Sequence, residues 1–201
     1  AFGPFVVDLY LPSLPQLASF FETNASMTQL TLTTAMIGLA LGQLLLGPLS
    51  DKFGRKKTLI ISLVIYIIST VLIVFLPNIE TMIVLRVIQG LSSAGSVVIS
   101  RAVATDLYRG REMTRFFGLL MTINGIAPII SPILGSLLLE YISWKGVFVF
   151  LALIGVIVLF FCFRLKESLS AENRLQGSIF ATFSTFGVII KNRLFMSYVG
   201  I

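Results

Sequence analysis

Residues 58–76 read TLIISLVIYIISTVLIVFL, an apolar run without one charge, entered through Arg55, Lys56 and Lys57. A helix rises 1.5 Å per residue, so roughly 20 residues cross the ~30 Å of hydrocarbon in a bilayer. Runs of the same character lie on both sides. Apolar spans fall at about 1–19, 28–49, 58–76, 80–101, 115–139 and 146–163, and a seventh begins near Leu194. In lipid every backbone N–H and C=O needs a partner within the chain, and no barrel-type alternation is present. The spans are therefore expected to be helices. The predicted fold class is an all-α membrane protein, with a six-helix bundle over 1–163. Composition agrees, because 56% of the 201 residues are hydrophobic and only 12% charged. Soluble domains carry about 25% charged residues, and one soluble core could not enclose so many long apolar runs. A signal peptide does not fit, since the first run is one of many and no small-residue cleavage site follows it.

The loops set the orientation. Lys52, Arg55, Lys56 and Lys57 fall between spans 2 and 3, and Arg101, Arg109, Arg111 and Arg115 beside spans 4 and 5. Arg164, Lys166, Arg174, Lys191 and Arg193 follow span 6; of the 15 Lys and Arg, only Arg86 and Lys145 lie elsewhere. The opposite side carries Lys145 with Glu22, Glu80 and Glu140. This asymmetry places the basic side in the cytoplasm, with Tyr141 and Trp144 as an outer aromatic anchor. The net charge of +6 thus reflects topology, and no nucleic-acid partner is expected.

Residues 164–193 form a polar central loop in which Ile179, Phe183, Phe186 and Ile190 recur at helical spacing. That stripe predicts an amphipathic helix on the cytoplasmic surface, followed by the start of a seventh helix over 194–201. Both ends of the chain fall inside apolar runs, as expected of a fragment. Cys162 alone can make neither an intramolecular disulfide nor a metal site, and there is no histidine. No nucleophile–base pair or metal-ligand set stands out, so neither an enzyme nor a cofactor is expected.

Three groups of residues break the apolar pattern. A charge within hydrocarbon costs roughly 2.5–3.5 kcal/mol on insertion scales, and Asp8 in span 1 and Arg86 in span 4 are both placed there. A carboxylate balanced between burial and a nearby cation can load and release a proton near neutral pH. A structural ion pair is the plainer account of the same two residues. The second group is GPLSDKFGRKK, Gly47 to Lys57. Gly47 and Gly54 allow close packing and a tight reversal, Asp51 and Arg55 are spaced to pair, and Asp106 can complete a charge triad. The third is NGIAPIISPILG, Asn124 to Gly135, with Pro128 and Pro132 one turn apart. Each proline removes a helix hydrogen bond, which points to a bent or closely packed helix. Span 1 carries a similar pair, Pro12 and Pro15. Gly38 and Gly42 form a GxxxG spacing, read as packing within the bundle.

These motifs resemble the major facilitator superfamily. GPLSDKFGRKK is similar to its signature between helices 2 and 3, and LRVIQG, Leu85 to Gly90, to its helix 4 signature. Gly125, Pro128, Pro132 and Gly135 lie where the helix 5 antiporter signature falls, with Ala127 and Ser131 at positions often taken by glycine. DLYLPSLP, Asp8 to Pro15, together with IAPIISPILG resembles the Bcr/CflA branch of drug:proton antiporters. The resemblance implies the amino-terminal half of a two-half transporter, each half built of inverted three-helix repeats around a midplane cavity. It implies Asp8 and Arg86 as the proton-coupling pair, and Tyr10, Pro12, Gln89, Ser93 and Asn124 as cavity lining. Gly47, Asp51, Gly54, Arg55, Lys56 and Asp106 would form a conformational latch. The implied activity is export of small lipophilic drug-like compounds across a bacterial inner membrane, driven by protons and completed by a carboxy-terminal half. A sugar or organic-anion symporter, or a non-transporting scaffold or sensor, are the alternatives.

Overall fold

The computed structural model describes residues 6–170, 172, 174 and 175. The amphipathic helix expected over 179–190 and the helix expected at 194–201 lie outside the described residues. Among the described residues the structure is helical, with no strand. The α-helices are α1 (Leu14–Phe20), α2 (Ala25–Phe53), α3 (Arg55–Val74), α4 (Ile79–Leu107), α5 (Gly110–Tyr141) and α6 (Trp144–Arg164). All but α1 are long and apolar enough to cross a membrane.

Span 1 is not one helix. Residues 6–8 are helical, a 3-10 turn covers Leu11–Ser13, and α1 starts afresh at Leu14. Pro12 and Pro15 each sit in the first turn of a new segment, where a missing N–H costs nothing. α5, by contrast, runs unbroken through Pro128 and Pro132. Helices in a bilayer tolerate proline because side-chain hydroxyls and local adjustment can satisfy freed carbonyls. Between the two prolines, Ser131 turns its own hydroxyl back onto the helix, donating from Oγ to the Ala127 carbonyl at 2.5 Å.

The end opposite the basic loops is closed by side-chain caps. Asn24 Oδ1 accepts from the Met27 N–H, and Asn78 Oδ1 from the Thr81 N–H, so α2 and α4 each begin on an asparagine. Gln16 Oε1 of α1 accepts from the Trp144 N–H at 3.1 Å, tying the broken span to the start of α6. The core beneath comprises Leu9, Tyr10, Leu17, Tyr66, Ile73, Met82, Phe148 and Leu151, contributed by span 1, α3, α4 and α6.

Small residues decide which helices touch. A Cβ on Gly38 or Gly42 would collide with the Val87 or Leu91 carbonyl of α4, and one on Gly90 with the Ala35 carbonyl of α2. The α2 and α4 backbones thus lie against each other, the arrangement small residues make possible in a membrane. The buried residues of α5 form a narrow stripe, Ala127, Ser131 and Gly135, at successive four-residue steps, with Leu138 and Leu139 packed against the core. Gly135 leaves room for the Leu9 carbonyl and Pro12. Just 11% of the apolar window of α5 is buried, so most of its surface faces outward.

Candidate functional site: a sealed arginine and a charged hinge

Arg86 is completely buried in the middle of the bundle. α4 supplies it, and four other segments complete its surroundings. Its guanidinium carbon stands 4.2 Å from the centre of the Tyr10 ring and 5.6 Å from that of Phe148. Nε donates to the Thr31 carbonyl at 3.2 Å, and Nη1 to Gln89 Oε1 at 2.7 Å. Gln89 Nε2 donates in turn to Thr70 Oγ1 at 2.8 Å, and Thr70 to the Tyr66 carbonyl at 2.6 Å. The Tyr10 hydroxyl is bonded to Thr31 Oγ1, which donates to the Thr28 carbonyl at 2.6 Å. A buried cation survives only if its surroundings replace water, and here dipoles and π-faces do so in place of a carboxylate. Nη2 has no hydrogen-bond partner among the described residues.

Arg86, Tyr10, Gln89 and Ser93 are at most 1% exposed and lie inside the bundle, not on an open face. The reason is the charge itself: a guanidinium in an apolar bundle recruits the nearest polar and aromatic side chains around it, and these are then sealed with it. Pro12 and Asn124 are half-buried. Asp8 is half-buried too, and among the described residues it makes no ion pair with Arg86. The ion-pair account of these two residues therefore does not describe this structure.

At the basic end, Gly54 ends α2 and precedes α3 with φ of 97°, a left-handed conformation suited to glycine. The reversal sets Arg55 between two carboxylates. Nη1 contacts Asp51 Oδ1 and Nε donates to Asp106 Oδ2 at 3.1 Å, while Ser50 Oγ accepts from Nη1 at 2.6 Å. The ends of α2 and α4 and the start of α3 are thereby joined through one guanidinium. Gly47 packs near Val98 without strain. Lys56 Nζ donates to the Phe163 carbonyl at 2.9 Å, in the last turn of α6, where a cation is favoured. Of the span 5 motif, Gly135 is in close contact, Gly125 has open space around it, Pro128 is exposed and Pro132 half-buried.

Sequence reasoning missed the support on either site. Thr31, Thr70 and Phe148 hold the arginine frame, and hydroxyls on otherwise apolar helices are the signal that was present for the two threonines. Glu167 had no local signal. Its carboxylate accepts from the backbone N–H of Arg55 at 2.9 Å and of Lys56 at 3.2 Å, capping a helix whose own cap residue, Gly54, has no side chain. Ser168 Oγ donates to Asp106 Oδ2 at 3.0 Å, and the Leu175 N–H to the Asp51 carbonyl at 3.0 Å. The loop after α6 is thus strapped over the hinge.

A bundle of membrane-length helices that keeps a guanidinium inside on neutral partners, with its loop ends cross-linked by charge, is the build of a multi-pass membrane protein. The chain belongs to the Major Facilitator Superfamily, whose family description matches residues 1–201. It is 41% identical over 199 residues to an uncharacterized MFS-type transporter, YdgK, of Bacillus subtilis strain 168, a match covering 98% of this chain and 50% of that one. It is 27% identical over 196 residues to a bicyclomycin resistance protein homolog of Haemophilus influenzae, covering 97% of this chain and 49% of the relative. Among solved structures, the proton:xylose symporter XylE superposes with a TM-score of 0.69 at 18% identity, over 83% of this chain and 42% of that one. At that identity the likeness speaks for the fold. The chain spans about half the length of the curated relatives it matches.

Proposed function

We propose that this chain is the amino-terminal half of an exporter of small lipophilic drug-like compounds, driven by protons entering across a bacterial inner membrane. The resistance relative supports the cargo class. The observation that carries the coupling is the seat of Arg86 on Tyr10. Asp8 lies two residues before Tyr10, on the segment that Pro12 separates from α1. In this scheme a change of charge on Asp8 shifts the segment that also carries the Tyr10 ring, and Arg86 Nη2, which has no partner among the described residues, gains a bond as it does so. Arg55, held by Asp51 and Asp106, acts as the latch of one end state. No resident cofactor enters this scheme; the proton gradient supplies the work.

The test uses this chain together with its second half. Asp8→Asn is expected to abolish gradient-driven efflux of a fluorescent lipophilic cation from cells or everted vesicles, at unchanged protein level. Efflux that persists at the parent rate would remove Asp8 from the mechanism.

A further inference from the structure

α2 follows α4 through its glycines, and α3 leans on α4 and α6, so the two helices that meet at Gly54 diverge above it. Between them lies a groove of about 410 Å³ at the basic end of the bundle. One wall is Leu46, Leu49 and Phe53 of α2, the other Lys57, Ile61 and Ile65 of α3, and Leu91 of α4 forms part of the floor. Lys57, Ile61 and Ile65 are spaced by four, so one face of α3 runs from a cation at the mouth to apolar side chains one and two turns deeper. Phe53, Ile61 and Ile65 are between 41% and 49% exposed.

The charge at the mouth narrows the occupant. Lys56 is committed to the Phe163 carbonyl, and Lys52 stands over the Phe53 ring at 5.9 Å. Lys57 is exposed and makes no hydrogen bond or ion pair with a described residue. Thr58 beside it lines the groove and has a buried hydroxyl without a partner among the described residues. A lipophilic cation would be repelled by Lys57, and a second copy of this chain would bring another basic end against it. An anionic head on an apolar tail satisfies both parts of the groove, and the bilayer around this end of the protein supplies one. We infer that the groove binds an anionic phospholipid, its phosphodiester at Lys57 and one acyl chain along Ile61, Ile65, Leu46 and Leu49.

Native mass spectrometry of the purified chain in mild detergent decides this, with phosphatidylglycerol and phosphatidylcholine of identical acyl chains as probes. Phosphatidylglycerol is expected to be retained more tightly. Lys57→Gln should weaken it about fivefold, the effect of one lysine near an anionic surface, and Lys57→Arg should retain it. Ile61→Trp, which fills the groove and leaves the charge, should weaken both lipids, while Lys145→Gln at the far end should change neither. Equal retention of the two lipids by the parent chain would overturn the assignment. So would phosphatidylglycerol binding indifferent to Lys57→Gln, or a dimer that forms at the expense of bound lipid.

Discussion

Glu167→Ala tests how the loop after α6 supports the hinge. The carboxylate satisfies two of the orphan N–H groups at the start of α3, and Gly54 offers no side chain in its place. Losing a side-chain cap costs typically about 1 kcal/mol, and losing a negative charge at a helix N-terminus a further 0.3–1 kcal/mol. Glu167 is exposed, so water takes up part of the lost bonding, and the sum expected is about 1 kcal/mol. Glu167→Gln keeps an acceptor and loses the charge, and should cost about half as much. The assay is the unfolding midpoint of the purified chain in mixed micelles titrated with sodium dodecyl sulfate, at low and high salt. High salt should shrink the difference between parent and Gln variant while leaving much of the Ala loss. An Ala variant within ~0.3 kcal/mol of the parent would refute the cap, and a Gln variant as damaged as Ala would refute the division between bonding and charge.

Asp51→Asn, in the chain paired with its second half, is expected to slow efflux of every substrate by a similar factor, since it shifts the balance between states and touches no cargo; a change in substrate preference without a general loss would count against the latch. Gly90→Ala should destabilise the chain by about 1–3 kcal/mol, because the added methyl meets the Ala35 carbonyl. Gly125→Ala, with open space around it, should be neutral or stabilising by up to about 1 kcal/mol in the same micelle titration. If the proposed two-half reading holds, the 201-residue chain alone in liposomes with an imposed pH gradient should not export a lipophilic cation; sustained gradient-dependent export would make a homodimer the working unit. Arg86 is sealed inside the bundle, so such a failure would not come from an arginine left in lipid.

What the sequence determined by itself follows from the bilayer as solvent. Apolar runs of membrane length, separated by loops of unequal charge, leave a helical bundle as the only class that satisfies its backbone. The spacing of Asp51, Arg55 and the glycines around them likewise marked the charged turn, because those contacts are local. Tertiary structure decided the rest. Span 1 breaks where two prolines open new helical segments, while α5 absorbs its own pair, a difference that depends on what packs beside each. That Tyr10 and Gln89 surround one buried guanidinium together with Thr31, Thr70 and Phe148 depends on five segments meeting in space. Glu167 and Ser168 close the hinge from more than sixty residues away. Contacts of that separation exist only once the helices are packed, so no local pattern could announce them.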